Sequence, residues 1–239
     1  MTQFQVVDST AHKHTKINTQ HGAEYGENIH YAPAVADELR HLALEYPVCF
    51  IKDSETGQFG MHAVFGFDPG ENLFLKGNQW HANYVPMHIR RQPFMVGVKG
   101  PAGAQPTPEN TVLTLNMSNA RVQTVDGEPL FDAQGQATPY LQKVSQLAFD
   151  IVPAILRTEQ FIKTLVANRL IEPIQLTITL KNGEETKFEG IYTINEEKLS
   201  QLSQEKVFEF HEKGYFQACY LILASFGNIQ NLITLKSKI

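Results

Sequence analysis

The sequence predicts an α+β fold, mainly antiparallel strands in the first half and helices plus a β-hairpin in the second. Three observations carry this. Residues 48–75 hold three β-rich runs joined by turns too short to cross over between parallel strands. Asn182-Gly183 sits between two alternating runs, as in a tight hairpin. The last forty or so residues carry apolar spacings of helical period.

In chain order, the polar N-terminus (about 1–20) reads as flexible, and it lacks the apolar segment of a secretory signal. "ADELRHLALEY" (36–46) places Leu39, Leu42 and Leu44 among charges, a short amphipathic helix that Pro47 stops. "VCFIKD", "QFGMHAVFGF" and "NLFLKG" follow as an antiparallel meander, turned at "SETG" and "DPGE". "PFMVGV" and "VLTLNM" are two further strands, and the Pro- and Gly-rich stretch between them, about 99–110, reads as an exposed loop. Thr138 followed by Pro139 is a helix start. Pro153 is expected to end or kink that helix near residue 152, with a second helix beginning at a Thr158 cap. Two closing helices follow the hairpin, with Gly214 between them at a C′ position. The apolar residues of 216–226 cover nearly every side, which predicts a buried helix. With no repeat and no break in composition, the chain reads as a single domain, 1–239.

Composition narrows the function. Twenty Lys and Arg against 25 Asp and Glu leave a formal charge of −5, which argues against a general nucleic-acid binder. Cys49 and Cys219 sit in apolar runs and read as inert, buried thiols, too few for a disulfide framework or a four-thiolate zinc site. The run "ACYLILASF" is less than half a bilayer span, so the expectation is a soluble, cytoplasmic chain without a membrane span.

Most chemical motifs are missing. The sequence holds no phosphate-binding Gly-x-x-x-x-Gly-Lys-Ser/Thr, no Gly-x-Gly-x-x-Gly and no Gly-x-Ser-x-Gly elbow. Among nine histidines there is no His-x-Asp or His-x-Glu, "HEKGY" lacks the second His of a zincin helix, and "HKH" (12–14) lies in the polar terminus. His62, His81 and His88 cluster in one region and read as hydrogen-bonded structure before they read as ligands, so no metal and no cofactor are expected.

"QWHANYVPMHIRRQPFMVG" (79–97) holds the best candidates for a binding site: Trp80, Tyr84, His88, Arg90 and Arg91. Two guanidiniums among aromatics suit a carboxylate or phosphate fork with an aromatic ring stacked beside it. Against this, adjacent residues diverge, about 100° apart on a helix and to opposite faces on a strand. One arginine then pairs with an internal acid such as Asp68 or Glu71 while the other lies along aromatic surface. The architectural reading is preferred.

"YGENIHYAPAVADELRHLALEYPVCFIKDSETGQFGMHAVFGFDPGENLFL", "YVPMHIRRQPF", "DGEPLFD", "TPYL", "EGIYTINEEKLSQL" and "GYFQACYLILASFGNIQNLI", in this order, resemble the bacterial SapC family over about residues 8–235. P-x-x-I-R-R-x-P-F and G-E-N-L-F-L are specific in combination. The resemblance implies an association with a paracrystalline surface layer by name, and no assigned reaction, cofactor or catalytic residue. It also implies a neighbourhood of halogenase-like proteins, cupin-like hydroxylases and TonB-dependent receptors. Three expectations follow. The first is a non-catalytic accessory protein that binds a protein or peptide, assisting a peptide-modifying or TonB-linked uptake system. The second is a surface-layer component, for which export would need an uncleaved signal. The third is an enzyme with a scattered-residue site around His62, His81, His88, Arg90 and Arg91.

Overall fold

In the computed structural model of the chain, residues 3–101, 107, 109–179, 183 and 185–238 are described. The fold is α+β, with antiparallel sheets and with helices mostly in the second half. The chain divides into two compact units.

Unit 1 comprises Met1–Glu27, Gly77–Gln79 and Met87–Pro153. Its three-stranded antiparallel sheet places Thr111–Asn116 between Phe4–Val6 and Phe94–Val98, with Phe94 opposite Leu115. Lys16–Ile17 forms a second small sheet, flanked by Val122–Gln123 and Glu128–Pro129. The N-terminal stretch, read as flexible, thus contributes two strands; Ile17 and His12 are buried, and the Asp8 backbone N–H donates to the His12 ring at 3.1 Å. Ile17, Phe94, Leu115, Leu130, Leu141 and Val144 form the core. Of the loop expected at 99–110, residues 102–106 and 108 lie outside the described residues.

Unit 2 comprises Asn28–Lys76, Trp80–Pro86 and Ala154–Ile239. Its five-stranded antiparallel sheet runs Ile171–Thr179, Glu185–Ile194, Val48–Lys52, Phe59–Val64, Tyr31–Pro33. The first two strands of the expected meander pair as predicted, Val48 opposite Ala63. The third does not: Tyr31–Pro33 takes the place beside Phe59–Val64, while Leu73 and Phe74 turn into the core. The hairpin forms, with Gly183 at φ +82; Asn182 lies outside the described residues. A bulge shifts its register between the Ile174–Ile191 and Leu176–Phe188 pairs, and Gly190 at φ +77 supplies the left-handed residue such a bulge favours.

The helix that starts at Thr138 and Pro139 runs unbroken to Ala167, and its first half belongs to unit 1 and its second to unit 2. Thr138 caps it, accepting from the Leu141 N–H at 3.3 Å. Pro153 neither ends it nor starts a second helix. Proline forfeits one backbone hydrogen bond, while Leu141, Val144, Ala148, Ile151, Ala154, Phe161 and Leu165 maintain a buried stripe through it. Thr158 lies mid-helix and accepts the Ala36 N–H at 2.8 Å instead of capping. The expected 36–46 helix is a turn of 3-10 helix followed by Leu39–Leu42, which buries Leu39 and Leu42 and leaves Leu44 exposed.

After the hairpin, Asn195 and Ser203 cap two separate helices, Glu196–Ser200 and Gln204–Glu212. Gly214, at φ +67, ends that region and opens Tyr215–Ser225. Only Cys219, Ile222 and Ser225 of this helix are buried, and Tyr220 is half exposed, so the all-round burial expected from its composition does not occur. The helical run Tyr215–Lys236 is long and apolar enough, by length and composition, to cross a membrane. It is tied to its unit by Ser225, which accepts the Val48 N–H at 2.9 Å, and by Lys236, which pairs with Asp68 at 2.6 Å and with Glu71.

Candidate functional site

The residues predicted as one site fall into two sets. Trp80, Tyr84, His81 and His62 belong to unit 2, and His88, Arg90 and Arg91 to unit 1.

Of the unit 2 residues, Trp80, Tyr84 and His62 are bound into the architecture. The Trp80 indole donates to the Tyr46 hydroxyl at 2.8 Å, and that hydroxyl donates to the Tyr84 carbonyl at 2.5 Å. The Tyr84 hydroxyl donates to Glu38 at 3.0 Å, and its ring stacks on His41 at 4.8 Å. His62 lies in the strand Phe59–Val64 against the Tyr31 ring, and burial lowers its pKa. His81 is exposed. Asp68 and Glu71, the acids expected for an arginine, have Lys236 as partner.

The arginines diverge: Arg90 ends a short helix, Met87–Arg90, and Arg91 follows it. Arg91 turns back: its guanidinium donates to the Phe94 carbonyl at 2.8 Å and lies 3.4 Å from the His88 ring, and burial lowers its pKa. Arg90 instead lines a cavity of about 720 Å³ in unit 1.

Ile89, Val144 and Leu147 line this cavity with apolar side chains. Tyr140 joins them, its phenol pushed up to about 12, chiefly by burial. Arg90 and Lys143 contribute exposed cations, and Glu128 and Asp150 exposed carboxylates. The remaining wall is a buried network around Glu27, which is fully enclosed. Arg121 Nη2 donates to Glu27 at 2.5 Å, the Gly22 N–H donates to it at 2.9 Å, and the His21 ring lies 3.0 Å away. Arg121 Nη1 donates to the Asn18 and Gln20 carbonyls, and the guanidinium covers the Tyr25 ring at 4.5 Å. The sequence reading missed His21, Glu27, Arg121, Tyr140 and Lys143. Glu27 and Tyr140 fall within the segments that carry the family resemblance, but Arg121 does not, and no local pattern marks the network.

Among the described residues, no group of three or more His, Cys, Asp or Glu side chains is placed to hold a metal ion. Cys49 and Cys219 are both buried with free thiols, and burial pushes each up to about 12, far from a reactive thiolate.

Chemically, then, unit 1 offers a recessed site lined by apolar side chains and by charges of both signs. The SapC family model matches residues 7–232, and the chain belongs to the SapC family. No curated protein and no solved structure matches it.

Proposed function

We propose that the chain is a non-catalytic binding protein that seats a peptide segment of a partner protein in the unit 1 cavity. The observation that carries this is the lining: apolar side chains together with cations and carboxylates, in about 720 Å³. Cavities of about 300–1,000 Å³ with apolar walls and a few placed polar groups are typical ligand sites. A peptide supplies what this lining complements, namely apolar side chains for Ile89, Val144 and Leu147 and polar groups for the charged side chains. The accessory role in a peptide-modifying or TonB-linked uptake system draws its support from the SapC resemblance.

The test is affinity capture from native cell extract with the tagged wild-type chain beside Leu147→Asp and Arg90→Glu, followed by mass spectrometry. A partner retained by the wild type and lost by both folded variants supports the reading. A partner retained equally by all three removes it.

A further inference from the structure

We infer that a second cavity, in unit 2, binds a small monocarboxylate with an apolar body, and that Arg40 receives its charge. This cavity, of about 540 Å³, shares no lining residue with the one in unit 1. Three cations line it, Arg40, Arg157 and Lys213, against one carboxylate, Asp37. Both Asp37 oxygens are taken by Arg157, at 3.2 Å and 2.5 Å, and Lys213 pairs with Glu209 at 2.8 Å. Arg40 is the cation left over. Among the described residues its hydrogen-bond partner is the neutral side-chain oxygen of Gln217, at 3.0 Å, and no carboxylate lies within ion-pair distance of it. That bond spends one of a guanidinium's five N–H donors. Arg40 is exposed, so its remaining donors are within reach of a ligand.

The rest of the lining sets the ligand's class. Leu39, Phe161, Tyr215, Ala218 and Leu221 supply apolar surface, with the Phe161 and Tyr215 rings 5.1 Å apart. Covering that surface rewards an apolar body, by about 25 cal/mol for each Å² removed from water. One uncompensated cation calls for one negative charge. A carboxylate supplies it in the planar form that a guanidinium binds best. A phosphate dianion would bring a second charge against Asp37, whose own cation is already paired. The volume suits a small molecule, since ligand sites commonly measure about 300–1,000 Å³.

The apolar body has two sources, an aromatic ring or an aliphatic chain. Isothermal titration of the full chain with hydrocinnamate and octanoate, each beside its neutral amide, separates them. At least one acid is expected to bind about tenfold more tightly than its amide, the size of a charge-assisted hydrogen bond. The better of the two acids identifies the source. Arg40→Gln removes the charge at an exposed position whose partner is another side chain, so the fold is retained. This variant is expected to bind acid and amide alike. Equal binding of acid and amide by the wild type overturns the inference, as does binding of none of the four compounds. A preference that survives in Arg40→Gln overturns the assignment to Arg40. Phenyl phosphate binding more tightly than either acid would overturn the carboxylate class.

Discussion

The buried hydroxyl of Tyr46 accepts the indole N–H of Trp80 at 2.8 Å and donates onward to the Tyr84 carbonyl at 2.5 Å. The Tyr46 ring meets Phe65 and Phe74 edge-on, and Phe65 meets Trp80 the same way. Tyr46→Phe keeps these ring contacts and strands two polar groups. We expect a loss of about 1–3 kcal/mol, the cost of buried unmet hydrogen-bonding groups. Urea unfolding followed by the fluorescence of the sole tryptophan measures it; stability within experimental error of wild type would show that the network is not needed.

The arginine pair separates in the same assay. Arg91→Ala removes the donor to the Phe94 carbonyl and is expected to cost about 1–3 kcal/mol. Arg90→Ala, at an exposed residue that lines the cavity, should cost less than Arg91→Ala. The reverse order would contradict the assignment of Arg91 to architecture.

Glu27→Ala should be among the most damaging single substitutions. It leaves the buried Arg121 guanidinium without its counter-charge, and losing one partner of a buried pair costs about 3–5 kcal/mol. Asp37→Ala breaks the Arg157 pair, which is 58% and 39% exposed, and should cost no more than about 1 kcal/mol. Similar losses in the two variants would mean that burial does not govern these pairs.

Acid titration should expose Glu209. Hydrogen bonds from Lys206 at 2.7 Å and Lys213 at 2.8 Å bring its pKa down from 4.5 to about 2. A carboxylate depressed on folding adds stability above its unfolded value and loses that contribution as pH falls from about 4.5 towards 2. The destabilisation by Glu209→Gln, measured by chemical unfolding, should therefore be present at neutral pH and shrink across this window. A difference independent of pH would contradict the ion-pair account.

His62 acts from higher pH. Burial lowers its pKa from 6.5, partly opposed by the Gly60 carbonyl at 3.0 Å from its ring. Below 6.5 the unfolded chain takes up a proton that the folded chain resists, so acidification through this value favours unfolding. His62→Gln should flatten the stability slope between about pH 7.5 and about pH 5.5; an unchanged slope would assign it to other groups.

Local chemistry decided what was legible in the sequence. The Thr138-Pro139 start, the pairing of 48–52 with 59–64, the 171–194 hairpin and the turn at Gly214 each follow from side chains a few residues apart. Propensity misjudged Pro153, because a stripe buried on both sides of it outweighs one missing backbone bond. Within 79–97, the sequence identified two arginines that diverge, but not which one would line a cavity.

The sequence by itself determined the α+β class, most helix and strand identities and the SapC membership, because these depend on periodicity, turn residues and motif order. Only the tertiary structure decided that Tyr31–Pro33 flanks Phe59–Val64, that Arg91 is consumed by Phe94, and that Glu27 meets Arg121 across 94 positions of chain. Such pairings depend on which distant groups burial brings together, where a charge is tolerated only beside its partner.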